Sequence, residues 1–556
     1  MKLEDCKFTL VYDVEGITYS TNLLKTEHVD VEFYCGDKIN LTIIPKTKTT
    51  LKTLSLKFKK DFKEDDRFFA NGYQSWTTSK EYSQNDKEEG LTKLVKILRP
   101  FKPLAAISGD YLFRERSKIR GIITSYTYAY IRSDQKLELI ASLSEKEAFT
   151  QITADLRGGF LTIAKDVEGL IVENPTKLVN VAIFEGEYDD VFDKYFKAAG
   201  FSTPRIDKLT GYTSWYNYFQ KIDETIILRD LDGLDKVKDK VSIFQIDDGY
   251  ETFVGDWLDF SPKFPKGMKY IAERIHDKGY LAGIWLAPFN VQRKSKTALT
   301  HPEWLIKDKK GKPILGCAGW GGAYTLDILN EHVRAHIKKF FEVILNDWEY
   351  DMVKLDFLYS QCMYPRNGKS RGSIMSYAME FLRDCVGEKL MLGCGVPLGS
   401  AFGYVDACRI SCDADLSFKG RYYNKLHINC EIPSTKNAIT NTIFRRHLNK
   451  KVFVNDPDVF FLRENNLKFT HNQKLLLAKI NNLFGNVLFI SDNAGDYTNE
   501  AIEILRKAFT KEKIDIKKAE FIDKKRIKII YANEGFKKTK ELLFNIKNGK
   551  TMSELF

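Results

Sequence analysis

The 556-residue chain has little that would cross-link it, anchor it or send it to nucleic acid. Its nine cysteines include no C-x-x-C pair, and an odd number spread over such a length does not make a disulfide framework. Cys394 and Cys408 fall inside apolar, strand-like runs, where reduced thiols serve as packing groups. The N-terminal Met1-Lys-Leu-Glu-Asp-Cys-Lys lacks the apolar core of a signal sequence, and no run reaches transmembrane length. A cytoplasmic location with no membrane partner is the default expectation. Lys and Arg outnumber Asp and Glu by 86 to 75, a formal charge of +11. There is, however, no Arg-rich arm, zinc-finger spacing or RNA-recognition signature. The lysines of 51–63 and 507–518 are interleaved with acids, which describes a solvated basic surface and no nucleic-acid partner. Internal repeats and low-complexity segments are absent too.

What is present is ample core material: 43% hydrophobic residues, and an aromatic share of 13% with 27 Tyr and 38 Phe. Flat rings suit the apolar face of a pyranose, and they suit ordinary β-rich cores equally. The length calls for two or three domains. Residues 1–190 read as strand after strand: Phe8–Val14, Val29–Tyr34, Ile39–Ile44, Thr53–Phe58, Ile119–Ile131, Lys136–Ser142 and Leu161–Val167. Turn residues punctuate them, with one helical stretch at Glu89–Leu98, and the pattern predicts an antiparallel β-sandwich.

A helix at Asp189–Ala199 and the Ser202-Thr-Pro204 turn then change the pattern. Over 200–495, eight apolar strand candidates alternate with helical segments. They are Gly211–Trp215, Ser242–Ile246, Leu281–Trp285, Met352–Leu355, Leu390–Gly393, Ala407–Ser411, Val452–Asn455 and Val487–Ser491. Between the fifth and sixth the link is short. Such alternation over this length predicts a (β/α)8 TIM barrel. A doubly wound open sheet is the alternative, and no G-x-G-x-x-G turn follows the first strand to support it. Residues 496–556 predict a helix and a small C-terminal β-rich domain. The expected fold is therefore multidomain α/β, with sandwich, barrel and a small β-rich tail.

A (β/α)8 barrel carries its site at the C-terminal ends of the strands. Here most of those ends are polar: Asp247-Asp248-Gly249, Trp285, Lys354-Leu-Asp356, Arg409 through Asp413, Asn455-Asp-Pro-Asp458 and Ser491-Asp492-Asn493, with strand five, ending Leu392-Gly393-Cys394-Gly395, the exception. One acid after one strand commonly caps the next helix, but so many around one mouth, with Trp and without a phosphate-binding glycine loop, point to a sugar pocket. No His stands at these ends, so no metal and no organic cofactor is expected.

Retaining glycoside cleavage needs an ionised carboxylate as nucleophile and a protonated carboxyl about 5–5.5 Å away as acid. Lys354 and Asp356, two apart on a strand, share a face. Lys354 lowers the pKa of Asp356 and suits it to be the nucleophile. Asp413, on another part of the mouth, then has its pKa raised by that negative charge and acts as acid, then base. Of the adjacent Asp247 and Asp248, a strand turns only one inward, to accept from sugar hydroxyls. Arg409 can donate to hydroxyls or orient an acid.

In that order and spacing, the strings Asn71-Gly-Tyr-Gln-Ser-Trp76, Gly211-Tyr-Thr-Ser-Trp215-Tyr216, Asp247-Asp-Gly-Tyr250, Lys354-Leu-Asp356-Phe-Leu, Leu392-Gly-Cys394-Gly, Arg409-Ile-Ser-Cys-Asp413 and Asn455-Asp-Pro-Asp458 resemble glycoside hydrolase family thirty-six, the α-galactosidase family of melibiase type. The resemblance runs from about residue 68 to 493. It implies the same three-part fold, a nucleophile at Asp356, an acid/base at Asp413, and an α-galactoside oligosaccharide as substrate. It further implies a galactose subsite lined by Asp247, Asp248, Trp285, Lys354, Cys394 and Arg409. Trp76 would reach in from the sandwich, with Tyr216 and Trp320 as walls. Tyr250 stands where many relatives have Trp, and Cys412 where Pro is common. Preference for α-N-acetylgalactosaminides, galactosyl transfer to another sugar, and non-catalytic sugar binding are the competing readings. Oligomeric state is left open.

Overall fold

The computed structural model describes residues 6–88, 90, 110–134, 136–420 and 433–556. The helical stretch expected at Glu89–Leu98 lies outside the described residues.

Two antiparallel sheets form the N-terminal part. One has the spatial order Ile17–Thr21, Cys6–Val14, Thr49–Lys59, Phe160–Lys165, Thr150–Asp155, Ile122–Tyr126, with Ile171–Val172 also paired to Thr49–Lys59. The other runs Val29–Cys35, Lys38–Pro45, Thr176–Gly186, Lys136–Ser142, Tyr128–Ser133, Arg67–Ala70, Lys80–Tyr82. Alternate residues of the first sheet (Phe8, Leu10, Tyr12, Val14) meet alternate residues of the second (Val29, Val31, Ile39, Leu41, Ile43) in one buried core. Each such side chain contributes about 1.5–3 kcal/mol when fully buried.

The single strand expected over Ile119–Ile131 is in fact two. Thr127 sits at φ +68, a conformation β-branched residues rarely take, and there the chain crosses from one sheet to the other. Backbone bonds hold it: its N–H donates to Thr150 O at 3.0 Å, and its carbonyl accepts from Ser142 N–H at 2.8 Å.

Eight parallel strands follow: β1 Leu209–Thr213, β2 Ile243–Ile246, β3 Leu281–Leu286, β4 Met352–Leu355, β5 Leu390–Gly393, β6 Ala407–Arg409, β7 Val454–Asp456 and β8 Val487–Ile490. Their order around the sheet is β7-β6-β5-β4-β3-β2-β1-β8. At the seam, Asn486 N–H donates to Asn455 O at 3.0 Å and Phe460 N–H to Phe489 O at 3.1 Å, so the barrel is nearly closed. Strands such as Ile-Phe-Gln-Ile and Val-Leu-Phe-Ile are buried along their whole length, as covered parallel strands must be. Helices wrap the outside, and between β5 and β6 only the short Leu398–Ala401 turn of helix is present.

The helix Tyr188–Ala199, stopped by Gly200 at φ +72, lies between sandwich and barrel. Its Phe192 stacks on His447 at 3.9 Å. The C-terminal sheet, Ile514–Phe521, Arg526–Asn533 and Thr539–Asn545, is antiparallel, and its Ile527, Ile529 and Phe544 join the barrel's core. Among the described residues no helix is long and apolar enough to cross a membrane.

Candidate active site

The strand ends bring the expected acids to one mouth, and each is held by a specific partner. Asp356, the residue after β4, accepts from its neighbour's backbone, Phe357 N–H to Oδ1 at 2.8 Å, and from Trp285 Nε1 to Oδ2 at 3.3 Å. Phe357 makes the first bond from the left-handed region, at φ +55. Burial raises the Asp356 carboxyl above the usual carboxylate range. Lys354 opposes that, Asp413 adds to it, and the Cys394 thiol hydrogen-bonds the carboxylate and lowers it again.

Lys354 corrects the sequence expectation in part. It does pull Asp356 down, but burial outweighs it, and the ammonium's short contact, 2.8 Å, is to Asp247 Oδ2. Burial disfavours the Lys354 charge, yet the carboxylates of Asp247 and Asp356, with Cys394, together outweigh it and keep the ammonium protonated.

Asp247 and Asp248 correct another. β2 ends at Ile246, so strand alternation no longer applies to them, and both carboxylates serve the mouth. Asp247 also accepts from Gln245 Nε2 at 2.9 Å. Asp248 accepts from Trp320 Nε1 at 2.8 Å and from Gln220 Nε2 at 3.0 Å. Behind them is Glu251, which the sequence reading passed over. Burial, then the Asp248 charge, push the Glu251 carboxyl well above the usual range, while burial raises Asp248 against the hydrogen bonds it accepts.

On the far side, buried Arg409 at the end of β6 grips three carboxylates. Nη1 donates to Asp413 Oδ1 at 2.9 Å and Nε to Asp456 Oδ2 at 3.1 Å, while Nη2 lies 2.8 Å from Asp458 Oδ1. Asp413 itself is more open, its side chain 37% exposed. Asp458 is fully enclosed, and burial moves it up to about 7 although Arg409 opposes the shift. It was legible only as the last letter of Asn455-Asp-Pro-Asp458.

Aromatic rings complete the mouth. Trp76 does not belong to the sandwich core. It clusters with Tyr359, Met363, Cys394 and Cys412 of the barrel, edge-on to Phe357 at 5.2 Å. Its Nε1 is buried with no hydrogen-bond partner among the described residues. Gly395, at φ +56, allows that approach, since a Cβ there would come within 3.0 Å of the Trp76 ring and of Phe357 N. Trp320 packs against Trp285 and Phe357. Tyr216 is buried deeper than a wall residue, with its hydroxyl donating to Asp458 Oδ2 at 2.5 Å.

The Trp76 turn is tied to the barrel by residues that no sequence signal marked. Asn437 Nδ2 donates to Trp76 O at 3.0 Å, and Arg445 donates to carbonyls of the same turn. Among the described residues, no group of three His, Cys, Asp or Glu side chains is arranged to hold a metal ion.

Known proteins share this β-sandwich set against a (β/α)8 barrel. Residues 217–379 match the Melibiase family model. The α-galactosidase Mel36A of Lactobacillus acidophilus is 28% identical over 123 residues, 21% of this chain and 16% of that protein. The A type blood α-D-galactosamine galactosaminidase of Flavonifractor plautii is 27% identical over 172 residues, 27% of this chain and 16% of that protein. The chain thus matches about a sixth of these relatives' own length. Over the fold as a whole, TtGalA, an α-galactosidase from Thermus thermophilus solved with p-nitrophenyl α-D-galactopyranoside, superposes with a TM-score of 0.70 at 22% identity. That match covers 95% of this chain and 99% of the other. Residues 217–379 are thus melibiase-like, and the fold is that of glycoside hydrolase family thirty-six α-galactosidases.

Proposed function

We propose that the chain is a retaining α-galactosidase that removes terminal non-reducing α-galactosyl residues by double displacement. The observation that carries this is the pairing of two differently held carboxylates at one mouth. Asp356 is aimed by Trp285 and Phe357 N–H, and Asp413 is set against Arg409. In the first step an Asp356 oxygen attacks the anomeric carbon, the glycosidic C–O bond breaks, and the Asp413 proton passes to the leaving oxygen. In the second, Asp413 takes a proton from water, whose oxygen displaces Asp356 from the same carbon. Two inversions give retention.

In this reading Asp247, Asp248 and Lys354 bind sugar hydroxyls, and Trp76, Trp285, Trp320 and Cys394 enclose the ring. Arg409 orients Asp413, and Tyr216 supports it from behind. The names of the relatives support the galactoside class, and TtGalA was also solved with stachyose. We assign units 1–190, 200–495 and 496–556 to sandwich, catalytic barrel and C-terminal β domain. The eight free cysteines among the described residues support a reducing, cytoplasmic location. NMR of the first product tests the mechanism: α-galactose is expected, and β-galactose as first product would refute retention.

A further inference from the structure

Asp458 has a backbone conformation that side-chain-bearing residues avoid, with φ at +81. The left-handed region costs a non-glycine residue about 1–2 kcal/mol, so something must hold it there. Two contacts do so. Its carbonyl accepts from Asn481 Nδ2 at 2.9 Å, from a buried position on the helix His471–Phe484, and its N–H donates to Asp456 Oδ1 at 2.8 Å.

The strained turn aims the carboxylate at the elements around Asp413. Oδ2 accepts from Tyr216 OH at 2.5 Å and from Ala414 N–H at 2.7 Å, and Ala414 is the residue after Asp413. Oδ1 faces Arg409 Nη2 at 2.8 Å, an ion pair whose angles fall short of a hydrogen bond. The same guanidinium holds Asp413 at 2.9 Å. Asp413 is therefore fixed from two directions, through its own chain and through a shared cation, and both lead back to Asp458. Asp456 from β7 and the Cys412 thiol also interact electrostatically with Asp458.

We propose that Asp458 is a positioning residue that aims Asp413 at the leaving-group oxygen. The proposal rests on the reading of Asp413 as acid/base. An amide at 458 has the same shape but presents its NH2 either to Arg409 or to Ala414 N–H, so one of the two holds is lost whichever way it turns.

Misaiming the acid damages cleavage in proportion to how much the leaving group needs a proton, whereas a merely loosened pocket damages all substrates alike. The test is kcat/KM of wild type and D458N on phenyl α-galactoside, a poor leaving group, and on 2,4-dinitrophenyl α-galactoside, which leaves without help. The expected result is a fall of about 10²-fold on the phenyl substrate, a typical contribution of general acid catalysis, with the dinitrophenyl substrate losing much less. Equal losses on both, or no loss on either, would overturn the proposal while leaving the galactosidase reading intact. Wild-type silence on both glycosides would overturn that reading and the proposal with it. Should D458N not fold, Y216F removes only the hydroxyl bond at 2.5 Å and carries the same split at smaller size, about tenfold on phenyl galactoside. Parallel losses in Y216F would refute the idea equally.

Discussion

Replacing Arg445 by methionine removes the clamp between the Trp76 turn and the barrel. The guanidinium is fully buried. Its Nε donates to Asn71 Oδ1 at 3.1 Å, and Nη1 donates to Ser75 O at 2.5 Å and Ile410 O at 2.7 Å. Nη2 donates to Gly72 O at 3.4 Å and Gln74 O at 3.1 Å. Among the described residues no carboxylate forms an ion pair with it, and burial pulls its pKa down to about 10, so keeping it charged costs about 3 kcal/mol. Methionine gives that cost back but leaves the acceptors unmet, at about 1–3 kcal/mol each. The net expectation is a loss of about 4 kcal/mol, in the range for stripping one side of a buried charged network.

Four of those acceptors belong to the turn that carries Trp76, and Ile410 lies just before Asp413, so the loss falls on the pocket. Calorimetry should show a melting transition lower by about 6–7 °C for a unit of barrel size. Below that transition, KM for an aryl α-galactoside should rise about tenfold, the effect of one lost polar anchor. A lower transition with unchanged KM would refute the placement of the Trp76 turn in the substrate pocket. No change in either would refute the clamp itself.

Two further outcomes follow from the charges at the mouth. Lys354 opposes the upward push of burial on Asp356, and in the proposed reaction Asp356 must be ionised to attack. K354M therefore moves the acid limb of the kcat/KM profile to higher pH, which initial rates across pH 4–7 would check at about half-unit steps. An unmoved limb would remove Lys354 from the electrostatics of Asp356. W320F deletes the donor to Asp248 at 2.8 Å. KM should rise about tenfold with kcat nearly unchanged, as for loss of a charge-assisted hydrogen bond that binds but does not react. A fall in kcat alone would make Trp320 part of the chemistry.

The barrel was legible because its strands are short apolar runs, most of which end in a chemically distinctive residue, and periodicity finds such runs well. The sandwich was legible in outline only. Thr127 gives no sign in the sequence that a continuous β-branched run must break and change sheets, and Thr176–Gly186 hides its apolar face behind Lys, Asn and Glu. At the site, strand position was enough to nominate Asp356 and Asp413. It could not reveal that Asp247 takes the Lys354 ammonium, since that contact joins β2 to β4 across the barrel. Arg445, Asn437 and Glu251 were invisible for a related reason. Their roles come from what surrounds them in space, and an Arg after a helix or a Glu after a Tyr carries no local signature.

The central claim is tested most directly by initial-rate hydrolysis of an aryl α-galactoside and its α-N-acetylgalactosaminide counterpart by wild type and D356A. The account predicts clear turnover of the galactoside, weaker turnover of the acetamido sugar, and loss of both in folded D356A. Turnover that survives in D356A, or silence of the wild type on both substrates, would contradict it.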